Sequence, residues 1–80
     1  MNICILGLGH VGTVGLGCLA NLGHSVVGVD VDETKVGFIN QGKAPIVEPL
    51  IGEIIADQHS AGRISATPIR FKQFSRLMFL

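Results

Sequence analysis

The sequence predicts an α/β fold in which short parallel strands alternate with helices. Two apolar runs, residues 2–6 and 25–29, are each followed by a segment with helical character, and the connections between them are short. Strand–helix–strand order with short connections implies parallel strands joined by right-handed crossovers. The composition agrees with a folded domain, since 48% of the 80 residues are hydrophobic and 15% are charged.

The first half of the chain predicts strand, helix and strand. Residues 2–6 form a nearly continuous apolar run, which is typical of a strand covered on both faces. Gly23 stands where a helix can end with positive φ, and residues 25–29 predict a second strand that ends at Asp30. The helix between them has a predicted apolar stripe consisting of Val11, Val14, Gly15, Cys18, Leu19 and Leu22.

The second half predicts two helices and a third strand. Asp32 can cap the second helix, and Gly42 stands just beyond its end. A third helix is expected from about residue 50 to residue 58, and Gly62 ends it. Its predicted apolar face consists of Leu50, Ile51, Ile54 and Ile55. Residues 63–67 predict a short third strand, so the complete order is β-α-β-α-α-β.

Three glycines stand at the junction of the first strand and the first helix. Gly7, Gly9 and Gly12 form the pattern G-x-G-x-x-G. The first glycine permits a tight turn, the second lets backbone approach a pyrophosphate, and the third lets the helix pack closely on the strand. The helix N-terminus adds unpaired N–H groups and a partial positive charge. The pattern alone is weak evidence, and a purely structural glycine turn is the alternative.

An acidic residue strengthens the prediction of a nucleotide site. Asp30 follows Gly12 by 18 residues and ends the second strand. A carboxylate there can accept hydrogen bonds from the adenosine ribose hydroxyls. It would repel a 2′-phosphate, and no arginine follows it in "DVDETK". The sequence therefore predicts a partial Rossmann-type parallel sheet, an incomplete nucleotide-binding domain whose cofactor is NAD rather than NADP.

The composition also argues against several other classes of protein. Residues 1–29 carry no charge, but glycines interrupt them and no apolar run approaches the roughly 20 residues of a membrane span. The start lacks the positive residues of a signal peptide, so we expect no membrane segment and a cytoplasmic location. Cys4 and Cys18 are predicted to be small buried residues rather than a disulfide framework, and no metal site is expected.

The stretch "ILGLGHVGTVGLGCLANLGHSVVGVDVDETKVGFINQGKAPIVEP" closely resembles the N-terminus of the UDP-glucose/GDP-mannose 6-dehydrogenase family, with details nearer its GDP-mannose members. The resemblance implies an NAD-dependent oxidoreductase that converts the C6 alcohol of a nucleotide sugar to a carboxylate in two hydride transfers. It also implies that His10 and Val11 contact the pyrophosphate through backbone amides, that Asp30 contacts the ribose, and that Lys35 contacts the adenosine side of NAD. A solvated helix face is the alternative for Lys35.

The resemblance covers residues 2–67 and does not continue into "PIRFKQFSRLMFL". The family's catalytic glutamate, lysine, asparagine and cysteine belong to regions beyond this chain, so no catalytic residue is assigned. We expect residues 1–67 to be a partial NAD-binding domain and residues 68–80 to be a divergent basic tail, such as a frameshift leaves. The chain alone is expected to be inactive, with the nucleotide sugar bound only by the full-length enzyme.

Two other functions stay open at this point. The chain could be a standalone nucleotide-binding or regulatory module without catalysis. Alternatively, the last 18 residues carry only basic charges and could bind nucleic acid or another anionic surface, although no recognised nucleic-acid motif accompanies them.

The first strand raises the question of a partner. In a Rossmann-type sheet the strand order is 3-2-1-4, and the only candidate for a fourth strand is residues 76–80. Without a fourth strand, the first strand is an open apolar edge. We therefore expect the isolated chain to be partly unfolded, to aggregate, or to self-associate through that edge.

Overall fold

The computed structural model describes residues 1–69, which form three parallel strands and three helices. The elements are β1 (Asn2–Leu6), α1 (His10–Asn21), β2 (Ser25–Asp30), α2 (Glu33–Asn40), α3 (Pro49–Ser60) and β3 (Ile64–Pro68). The strands lie in the order β1-β2-β3. The predicted α/β fold, the order β-α-β-α-α-β and the central place of β2 are confirmed. The candidate fourth strand and most of the basic tail lie outside the described residues.

The ends of the helices follow from capping residues. The Asp32 carboxylate accepts hydrogen bonds from the backbone N–H groups of Thr34 (2.9 Å) and Lys35 (3.4 Å), which begins α2. Pro49 occupies the first turn of α3, where its missing N–H costs nothing. Gly23, Gly42 and Gly62 follow the three helices with φ values of 100°, 76° and 77°. These positive values are the ones that favour glycine after a helix.

The helices pack against one face of the sheet. The buried core consists of Leu8, Leu16, Ala20, Val26, Val36, Ile39, Ile51, Ile55 and Ile64, which come from all three helices, two strands and the first turn. Because side chains alternate along a strand, the neighbours of Val26 and Ile64 point to the opposite face. On that face Cys4 is exposed and Leu6 is 68% exposed. The described part of the chain is therefore a sheet with one covered face.

The buried face of α1 is not the predicted apolar stripe. The buried residues are Thr13, Leu16, Gly17 and Ala20, whereas Val11 is 84% exposed and Leu22 is 74% exposed. Val14 and Leu19 of the predicted stripe do pack against the core, so the prediction was wrong only in part. The fully buried face includes a glycine because α1 lies close to α3. A Cβ atom on Gly17 would lie 3.4 Å from the Ile55 side chain. Packing distance, rather than hydrophobicity alone, selects the buried face.

Three further expectations about burial need correction. Both cysteines are exposed, because Cys4 lies on the uncovered face of the sheet and Cys18 lies on the outer side of α1. Leu50 is 63% exposed, although Ile51 and Ile55 of the same predicted face are buried. Leu50 stands in the first turn of α3, which approaches the core only from Ile51 onward.

Residues 1–69 contain neither a candidate membrane span nor a candidate metal site. No helix there has the length and the apolar character needed to cross a membrane. No group of three or more His, Cys, Asp or Glu side chains in the same residues could hold a metal ion.

Candidate functional site

The turn between β1 and α1 lies at the carboxyl end of the sheet. Gly7 has φ +98°, and its N–H donates to the Val29 carbonyl at 2.7 Å, which extends the β1–β2 ladder beyond the strand. A Cβ atom on Gly12 would overlap the Gly7 carbonyl oxygen, whereas one on Gly9 would meet no atom within 4 Å. The turn at Gly7 and the close helix packing at Gly12 are as predicted. At Gly9 the backbone has open space beside it, as a pyrophosphate would require.

The first turn of α1 directs free donors toward this space. The first hydrogen bond of the helix runs from the Thr13 N–H to the Gly9 carbonyl at 2.9 Å. The N–H groups of His10, Val11 and Gly12 precede it, and within residues 1–69 none of them donates to a protein acceptor. Such groups, together with the helix dipole, favour an anion. The side chains of His10 and Val11 are exposed, so the backbone amides are the groups these residues offer.

Two open clefts meet at the turn. One, of about 670 Å³, is lined by Ile5, Leu6, Gly7, Gly9, His10, Val11, Gly12 and Gly15. The other, of about 290 Å³, is lined by Leu6, Gly7, Val29, Asp30, Val31 and Ile69. Open α/β sheets bind their ligands in the crevice outside the carboxyl ends of the strands. The predicted glycines and Asp30 are therefore brought together at the place where this rule expects a ligand.

Asp30 is tied to the turn through its carboxylate. Oδ2 accepts a hydrogen bond from the Leu8 N–H at 2.7 Å, and Oδ1 accepts one from the Asp32 N–H at 2.8 Å. These two bonds, that of Leu8 first, lower the pKa of Asp30 below its usual value; the charge of Lys35 adds to this and partial burial opposes it. The carboxylate is thus ionised at neutral pH. Its remaining lone pairs can accept hydrogen bonds from hydroxyl groups.

Sequence reasoning missed two residues behind the turn. Leu8, the middle residue of the first G-x-G, is fully buried, and Thr13 is the one buried polar side chain among residues 1–69. The Thr13 hydroxyl donates to the Leu8 carbonyl at 3.1 Å. Thr13 stands one helical turn before Gly17 and two before Ala20, and this spacing could have indicated the buried face of α1. The stripe predicted for α1 left Thr13 on the other face.

The chain matches a known protein family. The model of the UDP-glucose/GDP-mannose dehydrogenase family, NAD binding domain, matches residues 1–79. The chain belongs to this family. As part of its NAD-binding domain, the chain has NAD as its cofactor, and the resemblance given by the motifs is confirmed. The match extends into the basic tail, and the division of the chain at residue 67 stays a prediction.

Individual relatives agree with this assignment. GDP-mannose 6-dehydrogenase of Azotobacter vinelandii is 54% identical over 67 residues, which are 84% of this chain and 15% of that protein. A crystal structure of a ternary complex of GDP-mannose dehydrogenase from Pseudomonas aeruginosa superimposes with a TM-score of 0.81 at 52% identity, covering 84% of this chain and 15% of that one. A UDP-D-ManNAc dehydrogenase from Pyrococcus horikoshii has a TM-score of 0.80 at 35% identity, covering 86% and 16%. The family member described here thus spans about 15% of the length of these relatives.

The residues present fit the cofactor of the family. A side chain at Gly9 would take up space that is now open, and the three N–H groups that follow it have no protein acceptor among residues 1–69. An ionised carboxylate stands beside the same turn. A pyrophosphate with an adjoining ribose needs this combination of donors and acceptor.

Proposed function

We propose that this chain supplies the NAD-binding part of a nucleotide-sugar 6-dehydrogenase that acts on GDP-mannose or UDP-glucose. The observation that carries the proposal is the 2.7 Å hydrogen bond from the Leu8 N–H to Asp30 Oδ2, because it ties an ionised carboxylate to a glycine turn with open donors. The proposed contacts come from the turn glycines, the first backbone amides of α1 and two side chains: Gly7, Gly9, Gly12, His10, Val11, Asp30 and Lys35.

Each group has a separate task in this proposal. The amides of His10 and Val11 hold the pyrophosphate, Asp30 accepts the ribose hydroxyls, and Lys35 lies on the adenosine side. Bound NAD supplies a hydride acceptor for the alcohol of the sugar. This chain's own residues bind and orient the cofactor, and none of them is assigned a catalytic role.

Because the chain spans about 15% of its relatives, we propose that the 80 residues alone bind NAD without oxidising a nucleotide sugar. NADH formed from GDP-mannose or UDP-glucose by the purified chain, above a Gly9→Val control, would contradict this. The cytoplasmic location predicted from the sequence is proposed with it, since NAD and nucleotide sugars would both have to be present there.

The test of NAD binding is a calorimetric titration of NAD and NADP into the wild type, Asp30→Ala and Asp57→Ala. We expect the wild type to prefer NAD by about tenfold, because the Asp30 charge opposes a 2′-phosphate. Asp30→Ala should weaken NAD binding by about tenfold or more, since hydrogen bonds to a charged group are lost. Asp57 is an exposed acid on α3 and serves as the matched control. Equal affinities of the wild type for both cofactors would contradict the proposed role of Asp30.

We also propose self-association of the isolated chain through the edge of β1 that no strand covers among residues 1–69. The Gly7 N–H donates to the Val29 carbonyl (2.7 Å) and the Ser25 N–H donates to the Met1 carbonyl (3.0 Å). Because backbone groups alternate in direction along a strand, the odd residues of β1 face β2. The even residues Asn2, Cys4 and Leu6 turn their N–H and C=O groups to the free side. An open, uncharged edge of this kind pairs readily with another chain.

A further inference from the structure

Leu8 lies between two glycines, but its N–H, its carbonyl and its side chain each make a contact with another part of the fold. Its N–H donates to Asp30 Oδ2 at 2.7 Å and its carbonyl accepts from the Thr13 hydroxyl at 3.1 Å. Its side chain is fully buried and covers Gly28 of β2 so closely that a Cβ atom there would lie 2.6 Å from the Leu8 side chain. The middle residue of the turn is therefore anchored in the core, while Gly7, with φ +98°, makes the turn just before it.

We infer that Thr13 is a positioning residue for the dinucleotide, acting through Leu8 on the backbone that receives the phosphates. Thr13 stands on the inner face of α1, and it is buried while the amides ahead of it in the helix are open. Its hydroxyl joins the helix to the turn, so this bond holds the Leu8 carbonyl, and with it the peptide that leads into Gly9, against the first turn of α1. This inference rests on the proposed binding of NAD.

The polar character of Thr13 favours a positioning role rather than a packing role. Burying a hydroxyl costs free energy that an apolar residue of the same shape would not incur. Valine is close to threonine in shape, and it would fill the same space without the polar atom. Among the described residues the hydroxyl makes one hydrogen bond, which it donates to the Leu8 carbonyl in the turn.

The experiment compares Thr13→Val, Thr13→Ser and Ser60→Ala with the wild-type chain. Thr13→Val removes the hydroxyl and keeps the shape, Thr13→Ser keeps the hydroxyl, and Ser60→Ala removes an exposed hydroxyl at the far end of α3. Two quantities are measured under conditions where circular dichroism shows all variants folded. The first is amide hydrogen exchange at Leu8 relative to amides of α3, and the second is the affinity for NAD.

We expect Thr13→Val to speed exchange at Leu8 and to weaken NAD binding, each by about fivefold, the factor of one net hydrogen bond. Thr13→Ser should stay near the wild type, and Ser60→Ala should match it. Unchanged NAD affinity in folded Thr13→Val, or an equal loss in Thr13→Ser, would overturn the inference. If the wild type binds no NAD, the proposed function fails, and the exchange at Leu8 alone then supports or overturns the link between Thr13 and the turn.

Discussion

The two edges of the sheet, β1 and β3, differ in whether side chains pair with their outward-facing backbone groups. At the β3 edge, the Asn40 side chain makes two hydrogen bonds with the backbone of Ala66: Nδ2 donates to the carbonyl at 2.9 Å, and Oδ1 accepts from the N–H at 2.9 Å. Asn40 thus takes the place of a neighbouring strand. At the β1 edge, the structure of residues 1–69 shows no such side-chain pairing.

A second feature closes the β3 edge. The Val26 N–H donates to the Arg63 carbonyl (2.8 Å) and the Ile69 N–H donates to the Asp30 carbonyl (3.1 Å), so the odd residues at this side of the sheet face β2. Ala66 and Pro68 consequently face outward. Proline has no N–H to offer another chain, and it is typical of sheet edges. Asn40 and Pro68 together make β3 a terminal edge.

The two edges differ in whether the sheet can take up a further strand there. The glycine turn lies at the carboxyl end of β1, and the larger cleft runs beside that strand and α1. In doubly wound sheets the crevice opens where the next strand would be added to the far side of the first one. The β1 edge, which no strand covers among residues 1–69, therefore borders the larger cleft. The β3 edge is closed by side-chain contacts, whereas the turn that follows β1 depends on a close backbone contact at Gly12 that only glycine allows.

The largest expected effect is that of Gly12→Ala, which breaks the backbone contact on the β1 side. The new Cβ atom would overlap the Gly7 carbonyl oxygen, and neither backbone can move without opening the turn. We expect the free energy of unfolding to fall by about 3 kcal/mol or more. A chain of this size has only about 3–5 kcal/mol of stability, so the variant should be largely unfolded in a thermal or urea denaturation monitored by circular dichroism.

Gly15→Ala is the matched control for this change. The same substitution one helical turn later would place a Cβ atom 3.6 Å from the Ile5 side chain, an ordinary contact. Alanine favours a helix over glycine by about 1 kcal/mol, so this variant should be as stable as the wild type or more stable. Similar losses in both variants would show that the contact at Gly12 is not special.

Much of the fold could be predicted from the sequence, and the reasons are local. The three strands, the cap at Asp32 and the roles of Gly7 and Gly12 depend on short-range patterns, and the structure confirms them. The open β1 edge was predicted by counting strands, and it stays a prediction because the candidate fourth strand lies outside the described residues. The strand order also followed, because right-handed crossovers leave few alternatives.

What could not be predicted depends on contacts between distant residues. Asn40 and Ala66 are 26 residues apart, and nothing in the sequence around Asn40 indicates that its amide meets a strand. The contacts of Thr13 and Gly28 both depend on the position of Leu8, whose carbonyl accepts from the Thr13 hydroxyl and whose side chain covers Gly28. The exposure of Cys4 required knowing that the described helices lie on one face of the sheet.

The next effect in size is expected from Cys4→Lys, which would place a charge on the open edge. Charged side chains on an edge strand oppose pairing with a second chain. We expect the wild-type chain to sediment as a dimer or larger under reducing conditions, and Cys4→Lys to shift it toward the monomer. Cys4→Ser is the control, since it removes the exposed thiol without adding charge. A wild-type monomer with strong amide protection across residues 2–6 would refute association through β1.

The smallest expected effect is that of Asn40→Asp, which would reopen the closed edge. The carboxylate could still accept from the Ala66 N–H, but it would place an oxygen against the Ala66 carbonyl in place of a donor. We expect a loss of about 1 kcal/mol in the free energy of unfolding, because a net hydrogen bond contributes about that much. The variant should also form assemblies larger than those of the wild type, since both edges could then add a strand.

Asn21→Ala is the control for Asn40→Asp, because it also removes a surface amide but leaves the β3 edge unchanged. Asn21 accepts a hydrogen bond from Gln58 at 3.2 Å, and its removal exposes no strand. It should leave the sedimentation profile unchanged. In a chain that also carries Cys4→Lys, Asn40→Asp should restore association, this time through β3. If the double variant stays monomeric, the Asn40 amide does not protect that edge, and Pro68 alone must account for the closure of β3.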